Sequence, residues 1–272
     1  MRISRRDFLK IGTRSLFGGV IIYSVPSLVR FLVRPRALGV AQAANKPGYI
    51  PENQYWGFVC DAEKCIGCGR CVVACKLENK VPWESNYNRT WVERYTITLD
   101  RQVFVDSPAA GRDGFKADPA GGPNQEVWKS FFVPKLCNQC DNPPCVTVCP
   151  VGATYVTDDG VILVDQEHCI GCRYCIQACP YGARYVLPEA SATHFGQVRV
   201  VDKCTWCYHR ITKGILPACV EVCPVSARVF GDLRDPQSQV RKILAEKRIS
   251  VLKPDLGTEP KVYYVGLERG VR

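Results

Sequence analysis

The chain has 272 residues, 17 of them cysteine, and a formal charge of +10 at pH 7. That length can bury a core without covalent staples, which argues against a small disulfide-framed scaffold. Nor does the charge mark a nucleic-acid binder. Eight basic residues (Arg2, Arg5, Arg6, Lys10, Arg14, Arg30, Arg34, Arg36) fall in residues 1–43 against Asp7 alone, so +7 belongs to that end and +3 to the rest.

Residues 1–43 read as an export signal. Ser4-Arg5-Arg6-Asp7-Phe8-Leu9-Lys10 follows the twin-arginine consensus. The mildly apolar stretch 11–33 is interrupted by Arg14, Pro26 and Arg30, and its longest uncharged part, 15–29, is short for a membrane span. Ala41-Gln42-Ala43 supplies a small-x-small cleavage site, so removal of the signal is expected, with retention as an anchor the alternative. The twin-arginine route carries proteins already folded in the cytoplasm.

Tyr55-Trp56-Gly57-Phe58-Val59-Cys60-Asp61 reads as a strand leading into Cys65, Cys68, Cys71 and Cys75. These four are spaced C-x2-C-x2-C-x3-C, with Lys76 following and a short helix expected over 72–77. Residues 80–136 hold no cysteine until Cys137; 91–105 is aromatic and β-branched and predicts β-structure, while 107–123, rich in Gly, Pro and Asp, predicts an exposed loop. A β-hairpin insertion with a mobile tip is expected there.

Phe131-Phe132-Val133-Pro134 leads into Cys137, Cys140, Cys145 and Cys149, whose middle gap widens to hold Asp141-Asn142-Pro143-Pro144 and whose last cysteine precedes Pro150. Residues 151–165 predict two short strands around Asp158-Asp159-Gly160, a hairpin signal. Cys169, Cys172, Cys175 and Cys179 with Pro180 then give the bacterial ferredoxin run unaltered. In two-cluster ferredoxins the first three thiolates of this run hold one cluster and the fourth a second. Residues 185–201 make another hairpin-like excursion, ending at Asp202-Lys203-Cys204. Cys204, Cys207, Cys219 and Cys223 widen the middle gap to eleven residues and keep Pro224. An amphipathic helix over 235–247, with Val240, Ile243 and Leu244 apolar, and a closing strand at Tyr263-Tyr264-Val265 complete the reading.

Sixteen cysteines thus fall into four sets of four, with Cys60 left over as an expected small buried residue. Cysteines two residues apart are poorly placed for bridging each other. Structural zinc is the stronger rival, but it takes two pairs with a longer spacer, whereas three or four cysteines in eleven residues suit a cubane. Each cubane held by four thiolates adds about −2 in its oxidised state, which would leave the loaded protein mildly acidic. Arg70, Arg173 and Lys203 lie in or beside the motifs and could raise a neighbouring potential, with solvated surface charge the favoured alternative; His209 and Arg210 could face a partner or simply sit in an exposed loop. No G-x-G-x-x-G follows a strand, so no flavin or nicotinamide site is read.

The ordered motifs, with their four-residue and eleven-residue gaps, together with Leu256-Gly257-Thr258-Glu259-Pro260-Lys261-Val262-Tyr263-Tyr264, resemble the iron–sulfur subunit of dimethyl-sulfoxide-reductase-type complexes over residues 56–266. Tetrathionate and polysulfide reductase iron–sulfur subunits, and the iron–sulfur protein of formate-dependent nitrite reduction, belong to that group. The resemblance implies an α+β fold of two interleaved 2x(4Fe-4S) ferredoxin-like units with β-hairpin insertions. Its divisions would be the signal at 1–43, an outer unit at 44–136 plus 202–230, an inner unit at 137–201, and a C-terminal helix and tail at 231–272. It implies four 4Fe-4S clusters in crossed ligation: Cys65, Cys68, Cys71 with Cys223; Cys204, Cys207, Cys219 with Cys75; Cys137, Cys140, Cys145 with Cys179; and Cys169, Cys172, Cys175 with Cys149. Lys76, standing where Pro is usual, and the insertion are the departures.

The function so implied is a single-electron relay with no catalytic residue of its own. It would join an integral membrane quinone-reactive subunit to a molybdopterin-type catalytic or multihaem cytochrome subunit, as a periplasmic, peripheral member of a hetero-oligomer on the outer face of the cytoplasmic membrane. The alternatives are a reductase acting at a cluster and a zinc-stabilised interaction protein.

Overall fold

The computed structural model describes residues 48–84, 86–115, 126–188, 199–268 and 271, all within one compact unit spanning 43–272. The signal read over 1–43, the tip of the insertion (116–125) and the middle of the 185–201 excursion lie outside the described residues.

Each cysteine motif is framed by a strand leading in and a strand leading out. β1 (Trp56–Asp61), β4 (Val127–Leu136), β6 (Ile162–Val164) and β8 (Val201–Lys203) lead into the four motifs in turn. β2 (Thr90–Thr98), β5 (Thr154–Val156), β7 (Arg184–Val186) and β9 (Arg228–Asp232) lead out. Every exit strand pairs antiparallel with the lead-in strand of the next motif: β2 with β4, β5 with β6, β7 with β8. The last exit strand, β9, returns to β1 and closes the series into a ring, with Cys60 opposite Arg228. Two further strands extend the closing sheet. β11 (Val262–Val265) lies parallel to β1, and β10 (Ile249–Ser250), which the sequence did not announce, pairs with β11, giving the order β10-β11-β1-β9.

Inside the motifs the helices are short for a reason written in the sequence. α2 (Pro144–Thr147), α3 (Tyr174–Gln177) and α5 (Ala218–Glu221) have four residues each, and a cysteine followed by Pro ends each run. α4 (Tyr208–Ile211) fills the wide gap of the fourth motif. The first motif differs because Lys76 replaces that Pro. α1 runs for nine residues, Arg70–Glu78, longer at both ends than expected. The Lys76 side chain is buried, and its ammonium donates to the carbonyls of Pro82 (2.7 Å), Glu84 (3.1 Å) and Tyr87 (2.5 Å), pinning the loop that follows.

The insertion is the β2–β3 hairpin, with β3 at Val103–Asp106, and β4 on the other side of β2. Of the loop expected over 107–123, residues 107–115 are described, and they are not uniformly exposed. Residues Pro108–Gly111 form a 3-10 turn in which Ala110 and Gly111 are buried against the first motif. The approach is close enough that a Cβ on Gly69, whose φ is 73°, would lie 2.3 Å from the Gly111 carbonyl oxygen. The C-terminal helix α6 (Gln239–Glu246) starts later than the sequence pattern indicated, because Asp235 first forms a turn and Ser238 Oγ then caps the helix by accepting from Arg241 N at 3.3 Å. Its Val240 packs beside Val59 and Val265.

The main core lies between the closing sheet and the fourth motif. Trp56, Phe58, Phe230 and Trp206 pack with centroid separations of 5.1–6.2 Å, Trp56 stacked on Phe230 and the others tilted or edge-on. Phe58 is fully buried, an effect on the order of 2–3 kcal/mol for such a side chain. Asp159, in the predicted hairpin turn, is also fully buried; Tyr49, Trp56 Nε1 (3.0 Å) and Tyr208 (3.4 Å) all donate to it.

Replacing Lys76 with Met would leave three carbonyls without their charged donor. The expected loss is about 2–3 kcal/mol of stability, read as a lower midpoint in anaerobic urea unfolding followed by circular dichroism. An unchanged midpoint would refute the pinning role.

Candidate metal centres

Each C-x-x-C turn places its third residue at positive φ: Gly67 at 67°, Gln139 at 46°, Gly171 at 68° and Trp206 at 52°. Glycine takes this conformation freely, whereas Gln139 and Trp206 are held in it by their surroundings. Both are buried, and Gln139 donates to the Cys204 carbonyl at 2.9 Å while accepting from Ile162 N at 2.8 Å.

These turns and the short helices gather the cysteines into four sets. Cys65, Cys68, Cys71 and Cys223 line one cavity together with Arg228. Cys149, Cys169, Cys172 and Cys175 line another with Thr154 and Val201. In a second set burial, reinforced by Cys204, Cys219 and Cys207, pushes the Cys75 thiol well up, and Asn79 Nδ2 stands 3.6 Å from both Cys75 Sγ and Cys207 Sγ. In a third, burial with Cys137, Cys145 and Cys179 as neighbours pushes Cys140 up to about 12. Sets meet as well: Cys219 lies in the field of Cys71, and Cys204 in that of Cys137. Only Cys68 and Cys172 are exposed.

The donor chemistry suits an anionic, sulfur-bound group. Backbone N–H groups point at thiols: Thr154 N to Cys149 Sγ (3.4 Å), Trp206 N to Cys204 Sγ (3.4 Å) and Ala227 N to Cys223 Sγ (3.2 Å). At Cys149 burial works to raise the thiol, but the N–H groups of Thr154, Val151 and Ala153 prevail and hold it below its ordinary value. Cationic side chains lie inside too. Arg184 Nη2 donates to Cys145 Sγ at 3.0 Å, and Arg228 Nη1 is buried with no hydrogen-bond partner among the described residues. Among those residues no group of three or more His, Cys, Asp or Glu side chains is disposed to hold a metal ion on its own. Two of the sets each line a cavity, which fits a cluster bringing its own iron and sulfide. Ligands, partners and N–H donors all match a 4Fe-4S group held by thiolates.

Fold and sites define a 4Fe-4S ferredoxin-like protein of mixed helix and strand, and models of a 4Fe-4S dicluster domain match residues 64–153 and 128–233. The chain is similar to a tetrathionate reductase subunit of Salmonella typhimurium, 42% identical over 220 residues, covering 80% of this chain and 74% of that one. It is also similar to a polysulfide reductase chain of Wolinella succinogenes, 41% identical over 216 residues (79% and 96%). A third relative, Hdr-like menaquinol oxidoreductase iron-sulfur subunit 1 of Archaeoglobus fulgidus, is 32% identical over 299 aligned positions (97% and 98%). The chain belongs to the family of iron–sulfur electron-transfer subunits that includes those of tetrathionate, polysulfide and dimethyl sulfoxide reductases.

Of the three cations singled out in the sequence, Arg70 and Arg173 are exposed, and Lys203 is completely buried. His209 and Arg210 are engaged within the chain: Glu78 of α1 pairs with His209 Nε2 and with Arg210 Nη1, each at 2.7 Å, tying the fourth motif to the first. Arg184 and Arg228 were missed. Their signal was an internal repeat, Cys179-Pro180-Tyr-Gly-Ala-Arg184 against Cys223-Pro224-Val-Ser-Ala-Arg228, with Cys149-Pro150-Val-Gly-Ala-Thr154 as its third copy.

Cys60 is fully buried, and burial, opposed by Arg228, pushes its thiol up to about 12. It should resist N-ethylmaleimide in the folded, loaded protein and react only after denaturation, as read by peptide mass spectrometry. Labelling of the native protein would contradict its sealed position.

Proposed function

We propose that the protein carries four 4Fe-4S clusters in two interleaved ferredoxin-like units, with a first set of Cys65, Cys68, Cys71 and Cys223, a second of Cys75, Cys204, Cys207 and Cys219, a third of Cys137, Cys140, Cys145 and Cys179, and a fourth of Cys149, Cys169, Cys172 and Cys175. The observation that carries this reading is the grouping itself: cysteines far apart in sequence are neighbours in space, four to a set. When bound, a cluster with four thiolate ligands supplies a one-electron couple and no open coordination position. The chain's own residues hold the thiolates, orient N–H groups at sulfur and keep water from the inner sites.

As a whole the protein serves as the electron-transfer subunit of a respiratory oxidoreductase, between a quinone-reactive membrane subunit and a molybdopterin-type catalytic or multihaem cytochrome subunit. The relatives' names as subunits of reductases and of a sulfite dehydrogenase support hetero-oligomeric partners. Among the described residues no helix is long and apolar enough to cross a membrane. On the strength of the twin-arginine pattern at Ser4–Lys10 we place the protein on the outer face of the cytoplasmic membrane, held through its partners.

Anaerobic preparation should yield about 16 irons per chain and matching sulfide, with interacting signals in low-temperature EPR of the reduced protein. Stoichiometric zinc without iron would overturn the reading. Replacing Cys172 with Ser should convert or remove one cluster and spare the first set; loss of all four would count against separable units. For localisation, Arg5→Lys with Arg6→Lys should strand the protein in the cytoplasm, and normal export would sink the signal assignment.

A further inference from the structure

Three buried cations stand apart from the others; Lys76 also lacks a carboxylate ion pair among the described residues, but its ammonium is held by three carbonyls and has Cys75 as its one cysteine neighbour. Arg89, Arg94, Lys135 and Lys261 each meet a carboxylate: Asp202 at 2.8 Å, Asp106 at 2.8 Å, Glu93 at 2.7 Å and Asp141 at 2.6 Å. Arg228, Lys203 and Arg184 are 2%, 0% and 4% exposed, and none of them makes a carboxylate ion pair among the described residues. Burying a charge so is costly unless negative charge lies close by. Each of the three has cysteines from two sets around it. Arg228 lines the cavity of the first set and lies beside Cys219 of the second. Lys203, whose ammonium burial and the neighbouring Arg184 disfavour, adjoins Cys204 of the second and Cys137 and Cys145 of the third, which favour it. Arg184 donates to Cys145 Sγ of the third and neighbours Cys175 of the fourth.

The internal repeat strengthens the case for the two arginines. Arg184 and Arg228 occupy the same place in their motifs, the first residue of the exit strand. Each is braced by the threonine that begins the exit strand of the paired motif: Arg184 Nη1 donates to Thr154 Oγ1 at 3.2 Å, and Arg228 Nη2 to Thr90 Oγ1 at 2.8 Å. Lys203 belongs to neither repeat. It ends β8, where its ammonium donates to the carbonyls of Ile162 (2.5 Å) and Cys204 (2.8 Å).

We propose that Arg228, Lys203 and Arg184 are fixed positive charges, one between each successive pair of cysteine sets, that raise the reduction potentials of the clusters on both sides together. The proposal rests on the four-cluster reading. An electron arriving on a thiolate-bound cluster adds negative charge and breaks no bond, so a buried cation shared by two clusters favours the reduced form of each. Shared charges of this kind keep neighbouring potentials in step. Arg228 serves the first and second sets, Lys203 the second and third, and Arg184 the third and fourth.

The test is an EPR-monitored redox titration of the loaded protein in its neutral variants Arg228→Gln, Lys203→Met and Arg184→Gln. Each should lower the midpoints of two of four reducible components and leave two in place. The pairs lowered at Arg228 and Arg184 should have no member in common, and Lys203 should share one with each. The charge-keeping variants Arg228→Lys, Lys203→Arg and Arg184→Lys should titrate as the parent does. Midpoints that stay put, or that all move together, at full iron content would overturn the proposal. If a neutral variant loses iron, its charge-keeping partner decides: full iron and parental midpoints uphold the role of charge, and equal iron loss assigns the residue to packing. Fewer than four reducible components in the unaltered protein would instead strike at the four-cluster reading, before any variant is made.

Discussion

Positive side chains sealed among thiols set the terms for the rest of this molecule. A guanidinium without a counter-charge is costly to bury, and so is a thiolate. Burial pushes Cys71, Cys75, Cys204 and Cys219 upward, away from the ionised form that binds metal. At Arg228 and Arg184 the thiols overcome the cost of burial and hold the guanidinium above its ordinary range. Neither charge is comfortable alone. Loading the sites satisfies both, which links cofactor insertion to completion of the fold.

The strand ring explains how motifs far apart in sequence come to share sites. Each antiparallel tie is short, three to nine residue pairs, and joins the end of one motif to the start of the next. Closing the ring through β9 and β1 brings Cys223 to the first motif and Cys75 to the fourth. Asp159 and Glu78 reinforce it from the side chains, Asp159 by gathering the N-terminal lead and Tyr208, Glu78 by holding the fourth-motif helix to α1.

What could be read beforehand was what covalent spacing dictates. Cysteine intervals fix loop and helix lengths, so the motifs, the short helices ended by Pro and the Asp158-Asp159-Gly160 turn stood out directly. The residues that depend on tertiary surroundings did not. Nothing local distinguishes buried Arg184 from exposed Arg173, since both are arginines near a motif, and only the repeated C-P-x-x-A frame separates them. The lengthened α1 was missed because Lys76 was read as a missing Pro, not as an ammonium with three carbonyls to bind. The turn at Pro108–Gly111 reads as exposed loop by composition, yet the missing side chain of Gly69 in the first motif lets its backbone lie close.

The four left-handed turns divide into two kinds. Gln139 and Trp206 fill the turns of the second and fourth motifs with buried side chains, whereas Gly67 and Gly171 serve in the first and third, each beside an exposed isoleucine, Ile66 or Ile170, and an exposed cysteine. Susceptibility of a thiolate to oxidation follows its accessibility. Dioxygen, peroxide or a chelator arriving from solvent meets Cys68 and Cys172 before the other motif cysteines, so on the four-cluster reading the first and fourth sets are the first to be lost.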